Sequence, residues 1–191
     1  YLREAVRTAS SIAVMIVFSF NDPIGKSNFT WVGFSLDAWL NPFGVLGLQD
    51  AVFASLRIAF ISTVVATILG TLIGLALTRY QFRGRGATNL FIFLPMATPE
   101  IVLGASLLTM FVAIEQPRNE LTILMAHIMF NISFVVVTVR ARLTGFPRHL
   151  EEAAMDLGAN EWTTFWKVTF PLILPGIAAA ALLAFSLSID D

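Results

Sequence analysis

Four groups of residues in this sequence have types and spacings that suit chemistry. All of them sit in or beside strongly apolar stretches. The run Glu151, Glu152, Ala153, Ala154, Met155, Asp156, Leu157, Gly158 sets carboxylates among small residues and ends on glycine. Glu100 follows Pro99 inside an otherwise apolar run. Asp190 and Asp191 are adjacent carboxylates at the end of another apolar run, and His127 stands alone in a third. An ionisable group at mid-membrane costs about 2.5–3.5 kcal/mol unless it faces protein or water. Glu100 therefore either lines a polar route and attracts a cation, or opens a helix after a proline break, where the helix dipole favours a carboxylate. Asp190 and Asp191 would suit a polycation; the plainer reading is a helix end emerging into water. His127 has no second His, Asp or Glu at ligand spacing, so it reads as a hydrogen-bonded packing histidine and not a metal ligand. No HExxH, GxSxG or paired-carboxylate pattern points to an enzyme. Gly25-Lys26-Ser27 looks like part of a P-loop, but Phe20 stands where the leading glycine belongs and no strand precedes it. ATP is thus not expected to bind this chain.

The elements that must position these groups are membrane helices. Of 191 residues, 57% are hydrophobic and 13% charged, against about 25% charged in soluble domains. A formal net charge of −1 argues against a nucleic-acid partner. The absence of cysteine excludes disulfides, Cys-based zinc sites and thiol nucleophiles. Crossing a hydrocarbon core of about 30 Å takes about 20 helical residues. Residues 58–78, 90–114, 121–139 and 168–189 meet or approach that length, and 9–20 is a shorter candidate. The runs are too long and too uniformly apolar for barrel strands, and a helix pairs its backbone amides within one segment. The expected fold is an all-α integral membrane bundle of about five helices. The chain starts at Tyr1 and stops after an apolar run, so it reads as part of a longer protein.

Orientation follows from the basic residues. Arg3 and Arg7, then Arg79, Arg83 and Arg85, then Arg140, Arg142, Arg148 and Lys167 all fall on one side under simple up-down threading. That side is the expected cytoplasm, with Tyr80, Trp162 and Trp166 at its interface and Arg57 snorkelling outward at the other. Residues 21–50, rich in Gly, Pro, Asn and aromatics, read as an ordered outer connection. Asp50 and Asn119 are candidate caps of the helices that follow them. Gly70 and Gly74 form a GxxxG pair that suits close helix packing within the bundle.

The most informative stretch is 145–175, on the basic side between two spans. Pro147 suits a first helical turn. Leu150, Ala153, Ala154 and Leu157 recur at helical spacing on one face. Glu151, Glu152 and Asp156 lie on or beside the other, weighted toward the N-terminus where the dipole favours them. Gly158 offers a stop. This is a short amphipathic helix parallel to the membrane plane. Such helices on lipid usually carry Lys and Arg on the polar face; carboxylates would be repelled by an anionic leaflet. Protein docking is the better reading, with lipid docking the alternative.

Glu152, Ala153, Ala154, Gly158 and Pro171 match the EAA motif of ABC importer permeases, with Val168 and Phe170 as apolar replacements. The chain resembles the binding-protein-dependent, MetI-like permeases. It looks most like the second permease of spermidine/putrescine transporters, through Ser19-Phe20-Asn21, Arg79-Tyr80, Phe82-Arg83-Gly84, Pro99-Glu100-Ile101-Val102, 134–139, Leu143, Gly145-Phe146 and 187–191. Ser133 departs from that pattern, where the family often has proline. The resemblance implies a single permease domain over 1–191, a coupling segment over 145–167, and a sixth helix beyond Asp191. It further implies a cytosolic ABC ATPase dimer holding ATP and Mg, a second permease subunit, an extracytoplasmic binding protein, and residence in a bacterial plasma membrane. Glu151, Glu152, Ala153, Ala154, Asp156, Gly158 and Pro171 would then couple to the ATPase, while Glu100, Asp190 and Asp191 are pathway candidates for a polyamine. Alternatives are an ABC permease for an anion, amino acid or sugar, an ion-coupled secondary carrier, and an integral-membrane enzyme.

Overall fold

The computed structural model describes residues 2–23, 25, 27–145 and 148–190, with residues 2–9 described by backbone alone. Lys26, Phe146, Pro147 and Asp191, singled out above, lie outside the described residues. The described chain is helical, apart from one isolated bridge between Asn21 and Phe34. It divides into two compact units, Tyr1–Phe53 and Ala54–Asp191.

In the first unit, α1 runs over Leu2–Phe18, a length of about 25 Å at 1.5 Å per residue. The described residues of the connection after it gather around buried Asn21. The Asn21 amide donates to Asn28 Oδ1 at 2.6 Å and to the Thr30 carbonyl at 2.8 Å, and its Oδ1 accepts from the Val32 amide at 2.7 Å. Phe20 stacks on Phe34 and on Trp39, the latter in the single-turn helix α2, Asp37–Leu40. One asparagine thus satisfies backbone groups that a loop would otherwise leave to water.

In the second unit, three long apolar helices form the core: α3 (Leu48–Arg79, from Ala54 onward), α6 (Glu120–Thr144) and α9 (Phe170–Asp190). Ala66, Val135, Val139, Leu143, Ile173, Ala180 and Ala184 pack between them. Glycine sets the α3–α6 approach. A methyl group built on Gly70 would lie 2.6 Å from Val135 Cγ1, and one on Gly74 would lie 3.4 Å from Val139 Cγ1. The glycine pair is therefore used for packing inside the bundle. Register advances by one turn on both helices together, so α3 and α6 run parallel. α9 runs the opposite way: Gly176 meets Arg142 near one end, and Ser188 meets His127 near the other.

The expected span 90–114 is not straight. It is split into α4 (Arg85–Ala97) and α5 (Glu100–Ala113), bent by 110°. Pro99 forces Thr98 out of the helical region, to φ −87 and ψ 132. α4 packs on α3 and α6 through Ile92, Leu77 and Val136. Parallel α3 and α6 require one net crossing between them, which the bent pair supplies. Among the described residues, three helices are long and apolar enough to cross a membrane, or four with the bent pair counted as one span.

Helix α3 also starts before its expected span, because the charge at Arg57 ends an apolar run without ending the helix. Asp50 is consequently the third residue of α3 and not its cap. Asn119 does cap α6, accepting from the Leu121 and Thr122 amides while the Thr122 hydroxyl accepts from the Asn119 amide. After α6 come α7 (His149–Asp156), the short α8 (Glu161–Thr164) and a π-helical turn, Phe165–Thr169, that leads directly into α9.

Candidate functional site

At one end of the second unit lies α7, and none of its residues is buried. Isolated helices of this length are marginal in water, so contacts must hold it. Glu151 and Glu152 occupy its first turn, where they offset the dipole. Gly158 closes it at φ +89, a left-handed conformation that favours glycine. The Gly158 amide donates to the Met155 carbonyl at 2.9 Å, and the Ala159 amide to the Ala154 carbonyl at 3.0 Å.

The faces of α7 differ from a simple apolar-in arrangement. Leu157 is 90% exposed, and Leu150, Ala153, Met155, Glu152 and Asp156 are exposed as well. Ala154 and Glu151 are the half-buried positions. The apolar side therefore looks away from the bundle, while one of the three carboxylates turns inward. Glu151 Oε1 accepts from Arg79 Nη2 at 2.8 Å and from the Thr169 hydroxyl at 2.6 Å. A cavity of ≈ 700 Å³ opens between α7, the end of α3 and the π-helical turn, with Leu72, Arg79, Tyr80, Arg148, Glu152 and Trp162 among its walls. Pro171 is the second residue of α9, just where the π-helical turn gives way to α-helix. It has no amide hydrogen to donate back into that turn.

Three more of the arginines that set the orientation have specific partners at this end. Arg85 donates to the Leu77 carbonyl at 2.8 Å, Arg140 to Asn89 Oδ1 at 2.8 Å, and Arg142 to the Leu172 carbonyl at 3.3 Å. The first two tie α4 to the end of α3, whose Leu77 carbonyl is one of the last four, and to α6; the third ties α6 to the first turn of α9. Counting charges reveals the side on which they lie but not these partners.

The opposite end gathers a second set. His127 Nδ1 lies 2.7 Å from Ser188 Oγ, which lies 3.1 Å from Ser62 Oγ, so α6, α9 and α3 meet through one polar chain. His127 is thus hydrogen-bonded within the packing, as its isolation in sequence suggests. Glu100, first residue of α5, lines a cavity of ≈ 290 Å³ together with Ile101, Leu107, Ala126, His127 and Phe130. Of its two sequence readings the helix start is the one seen here: the residue opens α5 directly after Pro99. Asp190 ends α9 two residues beyond Ser188 and is exposed. Arg57 pairs with Glu120 instead of merely snorkelling. Ser62 drew no attention in the sequence, and Ser188 entered only within the resemblance over 187–191. A serine in a membrane helix gives no signal until a partner is brought beside it.

A bundle of long apolar helices, interrupted by an exposed short helix that ends on a left-handed glycine, is the architecture of an α-helical membrane protein. Residues 66–191 match the family of binding-protein-dependent transport system inner membrane components, and the chain belongs to that family. It is 38% identical over 180 residues to the spermidine/putrescine transport system permease protein PotC of Haemophilus influenzae, covering 94% of this chain and 69% of that protein. It is 37% identical over 185 residues to the putrescine transport system permease protein PotI of Escherichia coli K12, covering 93% of this chain and 65% of that protein. In fold it is similar to the crystal structure of a bacterial ABC transporter involved in the import of the acidic polysaccharide alginate, with a TM-score of 0.68 at 16% identity, covering 99% of this chain and 73% of that one.

Proposed function

We propose that this chain is the membrane-spanning permease subunit of an ATP-driven polyamine importer in a bacterial plasma membrane. It forms half of the solute pathway beside a second permease, receives solute from an extracytoplasmic binding protein, and couples through α7 to a cytosolic ABC ATPase dimer that holds ATP and Mg. The observation that carries the coupling role is the outward-facing apolar side of α7, with Leu157 90% exposed and small Ala153 beside it. An exposed apolar helix face of this kind marks a protein contact, and the carboxylates Glu152 and Asp156 disfavour an anionic lipid surface. Closure of the ATPase dimer would push α7 and tilt the helices attached to it.

The polyamine assignment draws support from the two relatives named for spermidine and putrescine transport. It also fits Glu100 and Asp190, carboxylates at the end of the bundle opposite α7. Asp191 follows Asp190 and would add a second charge beside it. A second reading, uptake of an anion, is favoured by a 31% identical relative, the probable sulfate transport system permease protein cysT of Marchantia polymorpha. One experiment separates them. The assembled complex, purified with its ATPase subunits, is challenged with binding protein loaded with spermidine, putrescine or sulfate. Stimulation of ATP hydrolysis by the polyamine-loaded form alone is the expected result. Failure of any ATPase subunit to copurify would overturn the importer reading, and stimulation by sulfate would overturn the substrate.

A further inference from the structure

The sequence groups Glu151 with Glu152 and Asp156 as motor contacts, but the structure separates them. Glu152 and Asp156 are exposed; the Glu151 side chain is 18% exposed and the Arg79 side chain 14%. A single oxygen, Glu151 Oε1, receives both the Arg79 guanidinium from the last turn of α3 and the Thr169 hydroxyl from the π-helical turn that begins the last span. Both bonds are charge-assisted, the stronger class of protein hydrogen bond.

Thr169 shows that this arrangement is selective. Thr78, Thr88, Thr98, Thr109, Thr138 and Thr144 each donate to the carbonyl four residues earlier, in or at the edge of their own helix. Thr169 instead reaches across to α7. The wider π-helical turn, in which the Phe170 amide bonds to the Phe165 carbonyl, accompanies that change of partner. Arg79 terminates the helix whose Gly70 and Gly74 lie against α6. A displacement of α7 transmitted through Glu151 therefore reaches α3 and α9 directly, and α6 through the glycine seam.

Resting on the coupling role proposed above, we infer that Glu151, Arg79 and Thr169 form a three-way linkage that carries α7 movement into the membrane helices. In this division Glu151 is a positioning residue facing the permease, and Glu152 and Asp156 are left to face the motor.

The test uses the complete transporter, with its ATPase subunits and binding protein, in proteoliposomes. Glu151→Gln, Arg79→Gln, Thr169→Val and the exchanged pair Arg79→Glu with Glu151→Arg are compared with the unaltered protein. Three quantities are read: ATPase subunit recovered with the permease, ATP hydrolysed, and solute carried per ATP. Glu151→Gln and Arg79→Gln are expected to recover the ATPase subunit normally while solute carried per ATP falls about tenfold or more. Thr169→Val moves the same way by a smaller factor, and the exchanged pair recovers at least half of the lost coupling. A merely structural role would lower all three quantities together and would not be rescued by exchange. Loss of the ATPase subunit from Glu151→Gln would make Glu151 a motor contact and overturn the inference, as would normal solute per ATP in both single variants. If the unaltered permease recovers no ATPase subunit, the coupling role itself fails, a result distinct from either.

Discussion

The two ends of the α3–α6–α9 core carry the same kind of ion pair in opposite settings. At the α7 end, Arg79 and Glu151 are 14% and 18% exposed, and Thr169 shares the carboxylate. At the other end, Arg57 and Glu120 are 58% and 56% exposed. Coulomb attraction grows as the surrounding dielectric falls, whereas exposed pairs are screened and contribute about 0–1 kcal/mol. The α7 end is built to hold a fixed geometry, with four arginines each bonded to a named group. The opposite end keeps its carboxylates Glu100 and Asp190 exposed, beside the polar chain of Ser62, Ser188 and His127. On the proposed function, the first end would transmit force and the second would receive a hydrated cation.

Four substitutions would break or sharpen that contrast. The largest effect is expected for Gly158→Asp, which places a side chain at φ +89 where L-residues are strained, and beside the face offered to the motor. Uptake should fall by about a hundredfold or more, equivalent to about 2.7 kcal/mol, with membrane insertion intact; near-normal uptake in vesicles would count against the docking role. Next comes Gly70→Leu, whose side chain must enter space held by Val135, already 2.6 Å from an added methyl. Overpacking of this kind costs about 1–3 kcal/mol, read as a lowered midpoint of thermal unfolding in detergent, and no shift would mean that the α3–α6 seam is loose.

Glu100→Gln should act at the open end alone. It is expected to raise KM for polyamine about fivefold with little change in kcat, the pattern of a lost binding contact; unchanged affinity and uptake would remove Glu100 from the pathway. The smallest effect belongs to Arg57→Gln. Its exposed pair with Glu120 should be worth less than about 1 kcal/mol, so a large loss of stability or transport would erase the difference between the two ends.

Much of the architecture is legible in the residues. Apolar runs locate the crossing helices because lipid admits little else, and Gly70 and Gly74 announce a close approach that α6 then makes. The α7 helix, its glycine stop and the outward Ala153 follow from periodicity. The bend at Thr98-Pro99 is harder to see, because Ile101 to Val112 is as apolar as the turn before it and hydropathy carries no direction. The roles of the arginines are hidden for another reason. Arg79 and Glu151 are 72 positions apart, and only tertiary packing brings them together. Glu151 is misplaced by its charge, which groups it with Glu152, although helical spacing sets it one turn from Ala154 and the chain turns both inward. Ser62 and Ser188, 126 positions apart, are invisible on the same grounds.

The most direct measurement asks what α7 touches in the assembled complex. The chain contains no cysteine, so Leu157→Cys supplies a unique thiol on the most exposed of the described apolar positions of the loop, and Leu182→Cys supplies a control on an exposed apolar stretch of α9. With a short bifunctional reagent in native membranes, the thiol at 157 should join to an ATPase subunit in a nucleotide-dependent manner, and the thiol at 182 should not. A thiol at 157 that reacts only with reagents dissolved in the bilayer, and never with an ATPase subunit, would contradict the account.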